Sequence, residues 1–100
     1  MTFARSAAGG ETLLTIEGAL DAMSTPELRP VIEEIIAEST DRVVVDLSKL
    51  RLIDSSGVGA IVSLYKRVRA RGGQVTVRGL RDQPLAIFRL LRLDRVFGTG

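Results

Sequence analysis

The sequence contains neither cysteine nor histidine among its 100 residues. Without cysteine, disulfides and thiolate metal sites are excluded. Without histidine, the chain lacks the commonest general base and metal ligand, and a Ser-His-Asp triad is impossible. No apolar run approaches the ~18 residues that cross a bilayer, and the N-terminus lacks the apolar run of a secretory signal. We therefore expect a cytoplasmic protein with no metal and no other cofactor.

Aromatic residues are also scarce at 4%, whereas the hydrophobic content of 45% and the charged content of 26% are ordinary for a globular protein. This length predicts one domain, residues 1–100, with a single core. The net charge of +2 is unevenly placed, because residues 1–54 carry a net of −5 and residues 55–100 a net of +7. Basic residues at helical surface spacings, with few aromatics to stack on bases, indicate solvated faces or a protein partner rather than direct nucleic-acid binding.

Hydrophobic periodicity predicts an α/β fold in the order β-β-α-β-α-β-α. Such an order predicts a mixed sheet with mainly parallel central strands and crossover helices. The final Val96 and Phe97 are expected either to form a short strand or to pack against the core. The predicted strands cover 2–7, 12–17, 43–47 and 74–78. The first two predicted helices cover 25–38 and 57–71. Asp82 is expected to cap a third helix, which carries Leu85, Phe88 and Leu91 on one face.

Several local signals mark the ends of these elements. Gly18 is expected to close the second strand, and residues 19–23 to form a connector. Ser24 followed by Glu27 predicts a capping box at the start of the first helix. Pro30 is expected to remove one backbone hydrogen bond and bend that start. A turn is predicted at residues 40–42.

One stretch joins the third predicted strand to the second predicted helix and places two serines and a carboxylate at a helix N-terminus. Free backbone N–H groups and the helix dipole favour negative charge at such a position. A serine that only caps the helix, worth about 1 kcal/mol, is the other interpretation. Small residues beside the serines leave the backbone bare for the close approach of a partner. The stretch reads Ile53, Asp54, Ser55, Ser56, Gly57, Val58, Gly59.

Known catalytic motifs do not fit this stretch. A dinucleotide fingerprint needs a third glycine where Val62 stands, and a nucleophile elbow needs glycine where Asp54 stands. The Gly-Lys-Ser/Thr of a phosphate loop occurs nowhere in the chain, and serine without a base is a weak nucleophile at neutral pH. Asp46 is interpreted as a strand-end carboxylate that binds nearby backbone N–H groups. We therefore expect no enzyme.

The stretch from Asp54 to Gly59, with the preceding Val43–Leu47 strand and Leu52 and Ile53, resembles the signature of STAS domains, and of bacterial anti-sigma factor antagonists in particular. The resemblance covers nearly the whole chain, since residues 17–21, 70–73 and 93–97 also match the family pattern. It implies a single STAS-type domain of the α/β class. Arg92 stands where the family often has glycine, which predicts that a left-handed helix stop forms less easily there.

The resemblance implies a switch protein. Such antagonists bind an anti-sigma factor that is also a serine kinase, which releases the sigma factor for transcription. The kinase phosphorylates the second serine, here Ser56, the modified antagonist lets go, and a serine phosphatase resets it. The residues that the resemblance assigns to partner binding are Asp21, Asp54, Ser55, Gly57, Val58 and Gly59.

A second interpretation stays open. STAS relatives with the same fold and motif serve as adaptor subunits in membrane-transport or stress-signalling complexes, without regulation by a kinase. In that case the serine pair would only cap the helix. The oligomeric state and the identities of the partners are not determined by the sequence.

Overall fold

The strand β2 (Glu11–Leu20) organises the sheet in the computed structural model, which describes residues 1–38 and 41–97. β1 (Thr2–Ala8) runs antiparallel along one side of β2. On the other side, the first half of β2 pairs in parallel with β3 (Arg42–Asp46), and its end pairs in parallel with β4 (Leu50–Ile53). β5 (Gln74–Arg78) pairs in parallel with the far edge of β3.

Four helices connect and follow these strands in the described part of the chain. They are α1 (Thr25–Ala37), α2 (Ser55–Ala70), α3 (Asp82–Leu90) and the short α4 (Leu93–Val96). Because three of the four strand pairings are parallel, the prediction of a mixed, mainly parallel sheet with crossover helices is confirmed.

The core lies between one face of the sheet and the helices. Alternate residues of β2, β3 and β5 point into it, as the period of two requires. From the helices, α1 and α2 each supply an apolar stripe. The buried residues of these elements include Leu14, Ile16, Val43, Val45, Val75 and Val77 from the strands and Leu28, Ile32, Ile35, Ile61, Leu64 and Val68 from the helices.

The end of the described chain closes one side of this core. Phe97 is buried, and its ring meets Tyr65 edge-on with centroids 5.0 Å apart, while Phe88 lies at 5.8 Å. Val96 ends a short helix. Of the two outcomes expected for these last residues, packing against the core occurs for Phe97, whereas Val96 is 44% exposed.

The second strand is longer than predicted because Gly18 does not end it. Gly18 adopts φ +98 and donates its N–H to the Lys49 carbonyl at 3.1 Å, where the ladder shifts from β3 to β4. It is a bulge inside the strand, and glycine tolerates that backbone conformation. The predicted connector was wrong for Ala19 and Leu20, which belong to β2. The sequence analysis also missed β4, whose four residues are too few for a periodic signal.

Local capping signals were only partly right. Ser24 precedes α1, but its side chain makes no capping hydrogen bond, so the predicted capping box does not form. Pro30 lies inside a helix that continues to Ala37. Asp82 is the first residue of α3 and caps nothing with its side chain, and Leu91 is 50% exposed instead of facing inward. In the turn predicted at 40–42, position 40 lies outside the described residues.

Opposite charges meet on the surface of the fold, both within the acidic half of the chain and between its two halves. Arg67 of α2 forms a two-pronged ion pair with Glu33 of α1, and this guanidinium holds the pKa of Glu33 below its ordinary value. Arg5 of β1 reaches Glu34 at 3.2 Å and Glu38 at 3.0 Å. Part of the uneven charge distribution therefore joins neighbouring elements.

The carboxylate of Asp46 has a structural position. Its Oδ1 accepts the Ser48 N–H at 2.9 Å and its Oδ2 accepts the Arg78 Nε–H at 3.2 Å. The Ser48 N–H is the main reason why the pKa of Asp46 lies below its ordinary value. The interpretation of Asp46 as a strand-end carboxylate is confirmed.

Arg92 adopts the left-handed conformation that the sequence made unfavourable, with φ +59 and ψ +24. This conformation costs a non-glycine residue ~1–2 kcal/mol. Glycine avoids that cost, but it loses more conformational entropy on folding, which cancels part of the gain. We expect Arg92→Gly to raise the free energy of unfolding by about 0.5–1 kcal/mol in urea denaturation. Arg95→Gly, inside α4, serves as the control and should lower it. A lower unfolding free energy for Arg92→Gly would contradict this assignment of strain.

Candidate functional site

Asp54, between β4 and α2, is the N-cap of α2. Its Oδ1 accepts the backbone N–H of Ser56 at 2.9 Å and that of Gly57 at 3.2 Å. Its carbonyl accepts the Val58 N–H at 3.0 Å. Aspartate is among the best N-cap residues, and its charge suits the positive end of the helix dipole. The cap is therefore this carboxylate, and neither serine side chain caps the helix.

This geometry corrects the expectation of an open anion site at the start of α2. An open site needs free N–H groups at the helix start to attract an external negative charge. In the structure, Asp54 already binds two of these N–H groups with its own carboxylate. Any added negative charge would meet a carboxylate there instead of a set of free donors.

The same carboxylate also binds the loop that follows β2. Oδ2 of Asp54 accepts the Ala22 N–H at 3.1 Å, and the Asp54 N–H donates to the Leu20 carbonyl at 3.1 Å. One side chain therefore joins two loops that lie more than thirty residues apart in sequence. The loop after β2 and the start of α2 form one continuous surface.

Asp21 stabilises the turn of that loop. Its Oδ1 accepts the N–H groups of Met23 and Ser24, both at 3.0 Å, and lies 3.1 Å from the Ser24 hydroxyl. The hydroxyl oxygen of Ser24 in turn accepts the Asp21 N–H at 2.9 Å. The Ser24 N–H, with its hydroxyl, is the main reason why the pKa of Asp21 lies below its ordinary value. Asp21 is thus a charged carboxylate in the turn that Asp54 ties to the serine pair.

The two serine hydroxyls are unengaged. Within residues 1–38 and 41–97, no hydrogen bond involves the side chain of either Ser55 or Ser56. Ser55 is exposed at the first position of α2, whereas Ser56 is half-buried at the second. Both hydroxyls are free to react or to bind a partner, and Ser55 is the more accessible.

The two glycines of the motif differ in role. A Cβ on Gly57 would lie 2.7 Å from Leu20 Cγ and 2.8 Å from both Ile53 Cγ1 and the Leu20 carbonyl oxygen. Gly57 therefore permits the close approach of α2 to β2 and β4. A Cβ on Gly59 would meet nothing within 4 Å. Of the residues assigned to partner binding, Gly57 and Val58 are buried, whereas Ser55 and Gly59 are exposed.

Beside the turn and the serine pair lies an apolar cleft of about 270 Å³, which we call the Leu52 cleft. One of its features, Gln83, is not marked by any local sequence pattern. The Gln83 amide binds the backbone of Ile53 on both sides, accepting its N–H and donating to its carbonyl, each at 2.9 Å. The cleft is lined by Ala19, Leu20, Asp21, Leu52, Ile53, Asp54 and Gln83.

Neither a metal centre nor a membrane span is found among the described residues. No group of three or more acidic side chains in this part of the chain is arranged to hold a metal ion. Similarly, none of the helices described above has both the length and the apolar character needed to cross a bilayer.

Comparison with known proteins places the chain in a family. A family model described as the MlaB STAS domain matches residues 3–98. The chain belongs to the STAS domain family. This match confirms the resemblance that the motif and its flanking strand predicted.

Curated STAS relatives support a more specific likeness. The chain is 28% identical over 89 residues to the anti-sigma F factor antagonist of Paenibacillus polymyxa, which covers 88% of this chain and 74% of the relative. It is 25% identical over 81 residues to the anti-sigma-B factor antagonist of Listeria monocytogenes, with 81% and 71% covered. The crystal structure of an anti-sigma factor antagonist from Mycobacterium paratuberculosis shares the fold, with a TM-score of 0.88, 22% identity, and 98% and 83% of the chains covered.

The two glycines offer a matched test of the packing at the site. We expect Gly57→Ala to lower the free energy of unfolding by ~1–3 kcal/mol, because its Cβ would overlap Leu20 and Ile53. Gly59→Ala should instead raise it by about 0.5–1 kcal/mol, since alanine favours an exposed helical position. Urea denaturation of both variants measures the difference. Equal stabilities would show that α2 does not depend on this close approach.

Proposed function

We propose that this chain is an anti-sigma factor antagonist, which binds an anti-sigma factor and thereby releases a sigma factor. The observation that carries the proposal is the serine pair, whose hydroxyls are unengaged among the described residues and lie beside an acidic turn. Asp54 holds this turn and the start of α2 together as one surface. Curated relatives of the chain are antagonists of two anti-sigma factors, which supports the same activity here.

The proposed partner is an anti-sigma factor with serine kinase activity, and phosphorylation of the serine pair is the proposed switch. A phosphate adds about −1.5 to −2 charges at pH 7. Since Asp54 already binds the Ser56 and Gly57 N–H groups, little backbone remains to neutralise the phosphate. The added charge would lie beside Asp54 and near the Asp21 turn, so repulsion and desolvation would weaken a complementary interface.

The switch acts at the surface and leaves the fold in place. Neither serine hydroxyl caps α2, and the contacts that hold the helix start come from Asp54 and from the packing of Gly57. Modification of a hydroxyl therefore breaks no hydrogen bond of the described structure. We expect backbone chemical shifts of the phosphorylated protein to change around the site and not throughout the domain.

Solvent exposure and family resemblance favour different serines as the acceptor of the phosphate. The family resemblance assigns the phosphate to Ser56, which stays a prediction. Ser55 is exposed whereas Ser56 is half-buried, so Ser55 is the alternative acceptor. We propose Ser56 as the acceptor and Ser55 as the site to be tested against it. The role of the protein is regulatory, and a serine phosphatase resets it.

The experiment incubates the protein with ATP and each anti-sigma factor kinase of its source genome, and compares five forms. They are the native protein, Ser55→Ala, Ser56→Ala, Ser55→Asp and Ser56→Asp. Mass spectrometry counts phosphates, and calorimetry gives the affinity for the anti-sigma factor. We expect one phosphate on the native protein and on Ser55→Ala, none on Ser56→Ala, and a loss of about tenfold or more in affinity for Ser56→Asp, or ~1.4 kcal/mol.

The outcomes separate the alternatives. A phosphate that persists in Ser56→Ala and disappears in Ser55→Ala would move the assignment to Ser55. If no form is phosphorylated and all five bind with equal affinity, the kinase switch is wrong, and the adaptor role in a transport or stress-signalling complex remains. If none of the anti-sigma factors binds the native protein, the proposed function itself fails.

A further inference from the structure

Several polar groups that line the Leu52 cleft are already bound by the protein. Both backbone groups of Ile53 are bound by Gln83. The carboxylate of Asp54 accepts three N–H groups, from Ala22, Ser56 and Gly57. An occupant therefore displaces water from this cleft without leaving these groups unpaired. Desolvation of polar groups is the usual cost of burying a ligand. For the groups named here, the intramolecular hydrogen bonds lower that cost.

Apolar side chains are exposed in this cleft and in the turn that contributes Asp21 to it. Leu52 is 52% exposed and contributes to one wall. Met23, in the turn that begins with Asp21, is 88% exposed. Exposed apolar residues at a concave surface whose polar groups are already hydrogen-bonded within the protein are typical of the anchor pocket of a protein interface.

We infer that the Leu52 cleft is the anchor pocket for the anti-sigma factor and takes one apolar side chain of that partner. The inference rests on the proposed function and adds the chemical class of the contact. The cleft shares Asp21 and Asp54 with the proposed partner surface, so an occupant of the cleft is continuous with the contacts at the serine pair. A volume of about 270 Å³ accommodates a leucine, isoleucine, methionine or phenylalanine side chain.

The position of the pocket also explains how a phosphate on the serine pair weakens binding. A side chain in the cleft contacts the walls formed by Leu20, Ile53 and Asp54, and the serines follow Asp54 directly in the chain. A phosphate at that edge must lose part of its hydration when the apolar anchor and its flanking backbone close over it. The pocket determines affinity, and the serine pair determines when the pocket is usable.

The first test uses the anti-sigma factor that binds the native protein, and measures its affinity for Leu52→Ala, Leu52→Glu and Leu90→Glu. Leu90 is 78% exposed on α3 outside the cleft and is the matched control for a new surface charge. We expect Leu52→Ala to bind about tenfold more weakly and Leu52→Glu about a hundredfold more weakly, whereas Leu90→Glu binds as the native protein does. Native affinity in both Leu52 variants, or equal losses in Leu52→Glu and Leu90→Glu, would overturn the inference.

The second test does not depend on the proposed function. Isobutanol, which carries the branched end of a leucine side chain, is titrated into the native protein and followed by amide chemical shifts. We expect saturable shifts confined to the residues around the cleft, and their loss in Leu52→Glu. Shifts spread evenly over the surface, or no shifts, would overturn the anchor pocket even if the anti-sigma factor binds. If no anti-sigma factor binds but isobutanol saturates the cleft, the proposed function fails while the apolar pocket stands.

Discussion

The Asp54 carboxylate is the interaction on which the arrangement of the site depends. It accepts three backbone N–H groups, one from the turn after β2 and two from the first turn of α2, and so caps the helix and joins it to that turn. Hydrogen bonds to a charged acceptor contribute about 1.5–3 kcal/mol each, roughly twice the value of neutral ones. Because the cap is supplied by the residue before the serines, their hydroxyls are left without a structural role. Modification of a serine hydroxyl would therefore leave the helix cap intact.

The sheet sets the distance between the parts that Asp54 joins. β2 crosses from β3 to β4 through the bulge at Gly18, which places Leu20 beside the end of β4. Gly57 then lets α2 begin against Leu20 and Ile53, where any side chain would collide with them. The short motif after β4 therefore combines one residue for packing, one for capping and two serines whose hydroxyls make no hydrogen bond among the described residues.

Much of this could be predicted from the sequence, and the failures have definable causes. Long apolar patterns such as Val43–Leu47 and the stripe of α2 located strands and helices correctly, because the core contacts they report are strong and periodic. Four-residue β4 escaped detection, and Gly18 was interpreted as a strand end, because a bulge and a terminus have the same local signal. The bond of Asp54 to Ala22 and that of Gln83 to Ile53 are tertiary contacts over thirty residues or more, so no window of sequence contains both partners. For the same reason Gly57, expected to leave bare backbone for a partner, is buried instead against Leu20.

The central claim is that one carboxylate holds the turn and the helix start as a single surface, and Asp54→Ser tests it most directly. Serine is a good N-cap, so α2 should persist, but its single short oxygen cannot cap the helix and reach Ala22 together. The account predicts, from ¹⁵N relaxation, that the order parameters of Ala22 and Met23 fall from a rigid ~0.85 to below ~0.6, while those of α2 stay high. Unchanged order at Ala22 and Met23 would contradict it.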